Sequence, residues 1–491
     1  MQEVRHAAHA RHRPLRRRRR RPAEIPAHLG IGRQPAHSPG FTDARFGIFI
    51  HWGVYSVPAY APVGKYAEWY WNALSKGPTD RGKPNPTFDF HQRAYGGSFP
   101  YQDFAPRFRA ELYDPAQWAD LFEKSGAKYV VLTSKHHDGF ALWPSRHADQ
   151  VWGRPWNAVS AGPNRDILGD LTGAVRQRGL KMGYYYSLYE WYNPVWLSDR
   201  KRYVEEHMHP QFKDLVTRYK PSLIFSDGEW DMPGEDWRSP ELLAWLFKES
   251  PSAADVVVND RWGKGARHKH GGYYTTEYTA GLDSGSHPWE ESRGMGFSYG
   301  YNRAESIADY RPDREMILML ADLASRGGNL LLDIGPTGDG RIPVIMQERL
   351  LQIGRWLGTN GEAIYGTRPA ARSRQWSEGA QPKLETGEYM TRYEIMDFVE
   401  PKKPGQAIIE TFFTAKGGDI YAIVPRWPGA ALTIRGASAP SSMRPVLLGR
   451  EGALKWMAKG GDVVVAMPEA PGDSTRASHA YTIKLPGLSL K

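Results

Sequence analysis

From Asp114 onward the chain keeps one beat: an amphipathic helical stretch, a Gly or Pro stop, a short apolar run, then polar residues. Asp114 can cap a helix whose first position suits Pro115. Trp118, Leu121 and Phe122 share its face, and Gly126 ends it. The run Tyr129–Thr133 follows and empties into Lys135-His136-His137-Asp138. The beat returns with Ile167, Leu168, Leu171 and Val175, stopped at Gly179 before Met182–Tyr186. It returns with Phe212, Leu215, Val216 and Tyr219 ahead of Leu223–Phe225, and with Leu243, Leu246 and Phe247 ahead of Val256–Asn259. Apolar runs set between helices read as buried parallel strands joined by right-handed crossovers. An earlier strand runs from Phe46 to His51. A later one spans Asn329–Ile334, followed by a helix through Ile345, Leu350, Ile353 and Trp356 that stops near Gly361. Tyr273–Glu277 and Gly296–Tyr301 are further strands or loops at the same end. So long a series favours a (β/α)8-like, TIM-type barrel over an open sheet.

Beyond Gly366 the pattern changes to short alternating stretches between Gly/Pro turns: Ala407–Phe413, Ile420–Val424, Leu432–Ile434, Val463–Ala466 and Tyr481–Leu485. That is an antiparallel β domain, read as a sandwich. The division is an Arg-rich leader over 1–40, a barrel over 41–367 and a β-sandwich over 368–491. Residues 76–98, with Lys-Gly-Pro and Asn-Pro-Thr, read as an irregular insertion in the barrel.

The formal charge of +10 is concentrated in the leader, where ten arginines face only Glu3 and Glu24. What remains is nearly balanced, so no nucleic-acid-binding surface is expected. The leader has no apolar stretch behind its Arg16–Arg21 run, unlike a secretory signal, and reads as a disordered tail or an over-extended reading frame. No run approaches the ~20 apolar residues of a membrane span. Without cysteine, disulfides and thiolate metal sites are excluded.

The strand ends carry the chemistry. In Pro221-Ser-Leu-Ile-Phe-Ser-Asp-Gly the carboxylate of Asp227 sits where an apolar strand empties into a loop. In a (β/α) barrel catalytic groups gather at that end. An Asp before Gly also caps turns, so Asp227 alone decides nothing. Around it, other ends deliver His51, His136, His137, Arg261 and, after a loop, Glu277. Imidazole and carboxylate could bind Zn or Fe. The vicinal histidines argue against this, because strand neighbours project to opposite sides. Neutral imidazoles can instead bond to substrate hydroxyls. Two carboxylates, hydroxyl-binding groups and aromatic walls suit hydrolysis of a glycoside.

The ordered motifs FGIFIHWGVYSVPA, AEWYW, GAKYVVLTSKHHDGFALWPS, FSDGEWD, VVVNDRWG, TTEY, RGMGFSYGYNR and GGNLLLDIGPTGDGRIP span about Phe41 to Thr367. With them the chain resembles the α-L-fucosidases of glycoside hydrolase family 29. The resemblance implies a (β/α)-type barrel followed by a β-sandwich and a retaining exo-α-L-fucosidase. Asp227 would be its nucleophile and Glu277 its general acid/base, with Glu290, otherwise a rim carboxylate pairing with Arg293, in reserve. His51, Glu68, Trp69, His136, His137 and Arg261 would hold the fucose, and Tyr299 would lie against its C5 methyl. Phe225 stands where the family often has Trp, which keeps an apolar wall and loses an N–H donor. No metal or cofactor is needed. The expected partners are α-L-fucosylated glycans, with neither nucleic acid nor membrane, and a homo-oligomer is left open. Relatives act in the periplasm, outside cells or in lysosomes. The rivals are a fucose-binding module of weak catalysis and a hydrolase of the same fold acting on another sugar. The second domain is expected to pack against the barrel.

Overall fold

The computed structural model describes residues 39–269, 272–282, 287–391, 393–470 and 479–491. Apart from Pro39 and Gly40, the leader expected over 1–40 lies outside the described residues.

Eight strands form the barrel: β1 (Phe46–Ile50), β2 (Tyr129–Lys135), β3 (Lys181–Ser187), β4 (Leu223–Asp227), β5 (Val257–Val258), β6 (Tyr274–Glu277), β7 (Trp289–Gly294) and β8 (Asn329–Ile334). Each pairs in parallel with its sequence neighbour, and β1 pairs with β8. A parallel bridge from Asn259 to Tyr273 joins β5 to β6 and closes the ring.

Alternation along the strands sorts side chains between two cores. Ile48, Val130, Leu132 and Ile224 pack outward with the helices. Phe49, Tyr129, Val131, Tyr185, Leu223, Phe225 and Leu331 fill the barrel interior. Gly47 sits on the inward parity, and a Cβ there would run into the Tyr129 ring. Because strand periodicity is two, each inward residue near a C-terminal end lies above an inward apolar one. His51 thus stands over Phe49, and Asp227 over Phe225.

The helix before β2 starts as its sequence suggests: Asp114 Oδ1 accepts from Ala116 N (2.9 Å) and Gln117 N (3.1 Å), with Pro115 in the first turn. Two expectations need correction. Residues 76–98 are not irregular throughout, since Pro86–Tyr95 is a helix capped by Asn85, whose side chain accepts from Thr87 N and Phe88 N. Gly296–Tyr301, left open as strand or loop, is loop, and the strand at this place is the preceding Trp289–Gly294. Its charged residues hide it, because Glu291 and Arg293 bury their charges against each other at 3.0 Å. β5 is shorter than Val256–Asn259, with Asn259 left to the closing bridge.

After the barrel, a five-stranded antiparallel sheet runs in the order Arg368–Trp376, Ile409–Lys416, Asp419–Val424, Tyr481–Pro486, Val446–Leu447. A second sheet orders Ala431–Ile434, Asp462–Ala466 and Trp456–Lys459. Phe413, Ala422, Leu432, Ile434, Val463, Val465 and Ile483 make one apolar core, as the alternating stretches imply for a sandwich. Its link to the barrel includes Trp356 Nε1, which donates to Ala480 O at 2.9 Å.

Candidate active site

A cavity of about 560 Å³ opens at the C-terminal end of the strands, bordered by His51, His136, Phe225, Asp227, Arg261, Glu277 and Tyr299. Glu68 and Trp69 arrive from the loop after β1. The residues singled out from sequence therefore converge, although His137 stands just behind the cavity wall.

Asp227 ends β4, and Gly228 turns the chain sharply at φ 75°. A Cβ at Gly228 would collide with Tyr189, so the turn requires glycine. The Asp227 carboxylate faces side-chain donors of the site. Arg261 Nη1 donates to Oδ1 at 2.9 Å and Tyr185 Oη to Oδ2 at 2.9 Å, while His137 Nε2 stands 3.5 Å from Oδ2. Burial opposes ionisation, but Arg261, reinforced by Arg267 at 3.9 Å, outweighs it and holds the Asp227 pKa at about 2.

Arg261 was expected to hold sugar hydroxyls. In the structure its second nitrogen, Nη2, donates to Glu277 Oε2 at 3.1 Å, and its Nε donates to Thr275 Oγ1 at 3.0 Å. Thr275 in turn donates to Asp260 Oδ1 at 2.7 Å, which fixes the guanidinium plane. One buried cation therefore ties the two candidate carboxylates together. Glu277 Oε1 also accepts from Tyr66 Oη at 3.2 Å.

Glu290 is not a rim carboxylate. It is the second residue of β7, on the inward parity, fully buried at the foot of the barrel, where Tyr129 Oη donates to it. Burial pushes it up to about 8, and Arg293 pairs with Glu291 instead. It is absent from the residues around the cavity that holds Asp227 and Glu277.

The histidines sit together despite being sequence neighbours. A register irregularity between Thr133 and Lys135 breaks the alternation, and β2 ends at Lys135. Lys135 turns away to Glu190, 2.8 Å distant and equally buried, which also meets His207 Nε2 at 2.7 Å. His136 and His137 then follow with ring centroids 4.2 Å apart. Burial drives His136 well below the ordinary imidazole range, His137 to about 4 and His51 to about 3, so all three are neutral at pH 7. His137 Nδ1 meets Ser187 Oγ at 2.6 Å and His51 Nδ1 meets Asp333 Oδ1 at 2.6 Å. His136 Nδ1 has no partner among the described residues. Glu68, pushed by burial to about 8, accepts from Gly300 N at 2.8 Å.

Aromatic rings form the walls. Tyr299 stacks on His51 at 4.8 Å, and Phe225 lies 6.1 Å from Tyr185. Trp69 packs edge-on to Trp191 at 5.0 Å, with Trp230 beyond it at 6.1 Å. Sequence reasoning passed over Tyr185, Tyr66, Trp230, Glu229 and Arg267, all of which border the cavity. Tyr185 could have been found by strand parity. Glu229 lies two residues after Asp227, and Arg267 reaches it from a loop at 2.7 Å. Glu388 and Tyr389 also border the cavity, from beyond the barrel, and no local signal marks them.

The α-L-fucosidase family profile matches residues 33–362. The human tissue α-L-fucosidase is 39% identical over 91% of this chain and 89% of its own length. An α-L-fucosidase of Dictyostelium discoideum is 47% identical over 67% of this chain and 72% of its own. The crystal structure of Thermotoga maritima α-fucosidase superposes with a TM-score of 0.71 at 33% identity, covering 91% of this chain and 97% of that one. The same enzyme has been solved with a mechanism-based inhibitor, at a TM-score of 0.72 and 33% identity over 91% and 96% of the two chains. On this evidence the chain belongs to the α-L-fucosidase family of glycoside hydrolases.

Proposed function

We propose that the protein is a retaining exo-α-L-fucosidase that removes terminal α-L-fucose from fucosylated glycans. The observation that carries this reading is the pair Asp227 and Glu277 bound to the two ends of one buried guanidinium. Retaining hydrolysis needs two carboxyl groups close together on opposite sides of one glycosidic bond. A shared Arg261 supports that spacing.

In the first half-reaction Asp227, ionised, attacks C1 of the fucose as the bond from C1 to the glycosidic oxygen breaks. Glu277 gives its proton to that oxygen, and a β-linked fucosyl ester on Asp227 results. In the second half Glu277 takes a proton from water, which attacks C1 and releases Asp227 and α-fucose. Neutral His51 and His136 can bond to sugar hydroxyls, while Phe225 and Tyr299 give the ring apolar surface. A binding module with this pocket would not require an ionised carboxylate aimed into it, so Asp227 favours the enzyme.

The test is hydrolysis of an aryl α-L-fucoside followed by NMR of the first anomer released. Retention expects α-fucose; β-fucose or no turnover refutes the reading. With Asp227→Gly, added azide should yield β-fucosyl azide, and with Glu277→Ala, α-fucosyl azide. An α-product from the Asp227 variant would reverse the roles.

A further inference from the structure

The lip of the cavity is not built from the barrel alone. The connection between sandwich strands Arg368–Trp376 and Ile409–Lys416 leaves its own sheet and crosses to the barrel. Its neck is tied by Ser377 N to Ile408 O (2.8 Å), Ala380 N to Gly405 O (2.9 Å) and Ala407 N to Ala380 O (3.0 Å). Connections this long with so little secondary structure are uncommon in compact domains unless they have a task. The far side is anchored in the barrel. Tyr393 is buried, with its Oη donating to Asp322 Oδ2 at 2.6 Å, and Arg311 Nη1 donates to Glu394 Oε2 at 2.7 Å.

Between neck and anchor, Glu388–Met390 runs beside the end of β6. Glu277 N donates to Glu388 O at 3.1 Å, and Met390 N donates to Glu277 O at 2.9 Å. Met390 adopts φ 47°, a left-handed conformation uncommon outside glycine. Both backbone groups of Glu277 are thereby held by a strap from the sandwich side. Tyr389 lies between these two bonds, half exposed, with its Oη 3.5 Å from the Tyr66 Oη that donates to Glu277. No other ring contacts Tyr389 among the described residues, whereas Tyr66 stacks on Phe297 at 5.4 Å.

On the reading of Glu277 as acid/base, what flanks it on the outer side must lie beside the leaving-group sugar. The fucose side is already occupied by His51, His136, Phe225 and Tyr299. The C–H face of a pyranose packs well on an aromatic ring, and the unpartnered ring at the lip is that of Tyr389. We propose that Tyr389 is a specificity-determining residue of the leaving-group subsite, its ring taking the apolar face of the pyranose that carries the fucose. The sandwich then takes part in substrate choice through the strap, beyond packing against the barrel. This rests on the fucosidase reading above, and it commits to a pyranose leaving group.

The experiment measures kcat/KM of the full chain on two substrates: an α-L-fucosyl disaccharide with a pyranose leaving group, and α-L-fucosyl fluoride, which has none. In Tyr389→Ala the disaccharide-to-fluoride ratio should fall roughly tenfold, as loss of an aromatic contact would give. Tyr389→Phe, which keeps the ring and loses the bond to Tyr66, should restore the wild-type ratio. The strap's bonds to Glu277 are backbone bonds, so truncating the ring leaves them in place. If the alanine variant is unstable, Tyr389→Thr repeats the measurement in a residue that suits an extended segment. An unchanged ratio in both truncations overturns the proposal, as does an equal fall in Tyr389→Phe, which would assign the effect to the hydroxyl. A wild-type protein that hydrolyses neither substrate overturns the fucosidase reading and this inference with it. A wild-type protein that hydrolyses both leaves only Tyr389 at stake.

Discussion

Replacing Arg261 by Met removes the cation shared by the two carboxylates. Its Nη1 stands 2.9 Å from Asp227 Oδ1, and burial by itself would raise Asp227 above the ordinary carboxylate range. Opposite unit charges ~4 Å apart are worth about 4 kcal/mol at an effective dielectric constant near 20, or about three pKa units. Arg267, 3.9 Å from the same oxygen, stays behind and keeps part of that. The Asp227 pKa should therefore climb from about 2 to roughly 4–5. The sign follows from which form reacts: the ionised nucleophile is present above its pKa, so the variant loses rate as pH falls through roughly 4–5, where the wild type does not. The assay is kcat/KM against pH on α-L-fucosyl fluoride, whose departure needs no acid, so the acidic limb reports Asp227 in the free enzyme. Arg261→Lys keeps the charge and should bring the limb most of the way back. A rate loss by one factor at every pH, or a limb as high in Arg261→Lys as in Arg261→Met, would refute the argument.

Tyr185→Phe deletes one donor to Asp227 Oδ2 and should cost about 1.5–3 kcal/mol in kcat/KM, read on the same fluoride substrate; no change would mean that Tyr185 is merely part of the wall. His136→Ala should cost about 1–3 kcal/mol in kcat/KM while chelators leave the wild type untouched; inactivation by EDTA reversed by Zn would contradict the hydroxyl-binding role. Because burial raises Glu290 from 4.5 to about 8, between these values the folded chain holds a proton that the unfolded chain has released, and stability should fall as pH rises from 4.5 towards 8. Melting temperatures at both ends of that window should show a smaller fall in Glu290→Gln, and this variant should retain hydrolysis; azide-rescued loss of activity would reinstate Glu290 as the acid. Lys135→Met strips the cation from fully buried Glu190 and should destabilise by about 3–5 kcal/mol in denaturant titration; a loss below about 1 kcal/mol would show that His207 and Asn193 suffice.

The barrel was legible because helix-strand alternation is a local pattern, and the site because strand ends and parity locate side chains without tertiary knowledge. Asp227 two residues beyond Phe225, and His51 two beyond Phe49, needed nothing more. β7 was not legible, since a strand whose outward charges neutralise each other in the interior looks like surface until Glu291 and Arg293 are seen together. The same holds for Glu290, whose buried hydroxyl partner Tyr129 comes from a distant strand. The convergence of His136 and His137 rests on a bulge, which no residue in Thr-Ser-Lys announces. The pairing of Arg261 with Glu277 depends on how β5 and β6 meet across the closing bridge. Tyr389 reaches the site through backbone hydrogen bonds, and these leave no trace in residue type.

The shared guanidinium has a consequence for the order of events. On the assignment proposed here, the first half-reaction starts with the anion on Asp227, the proton to be transferred on Glu277 and the cation on Arg261. After the first half-reaction Asp227 is a neutral ester and Glu277 is the anion. The sum of charge around Arg261 is therefore the same before and after that step, and the counter-ion changes hands without the cation moving. Such an exchange asks little reorganisation of the fixed dipoles around the site. The same exchange leaves Arg261 undivided beside Glu277 when that group must act as a base.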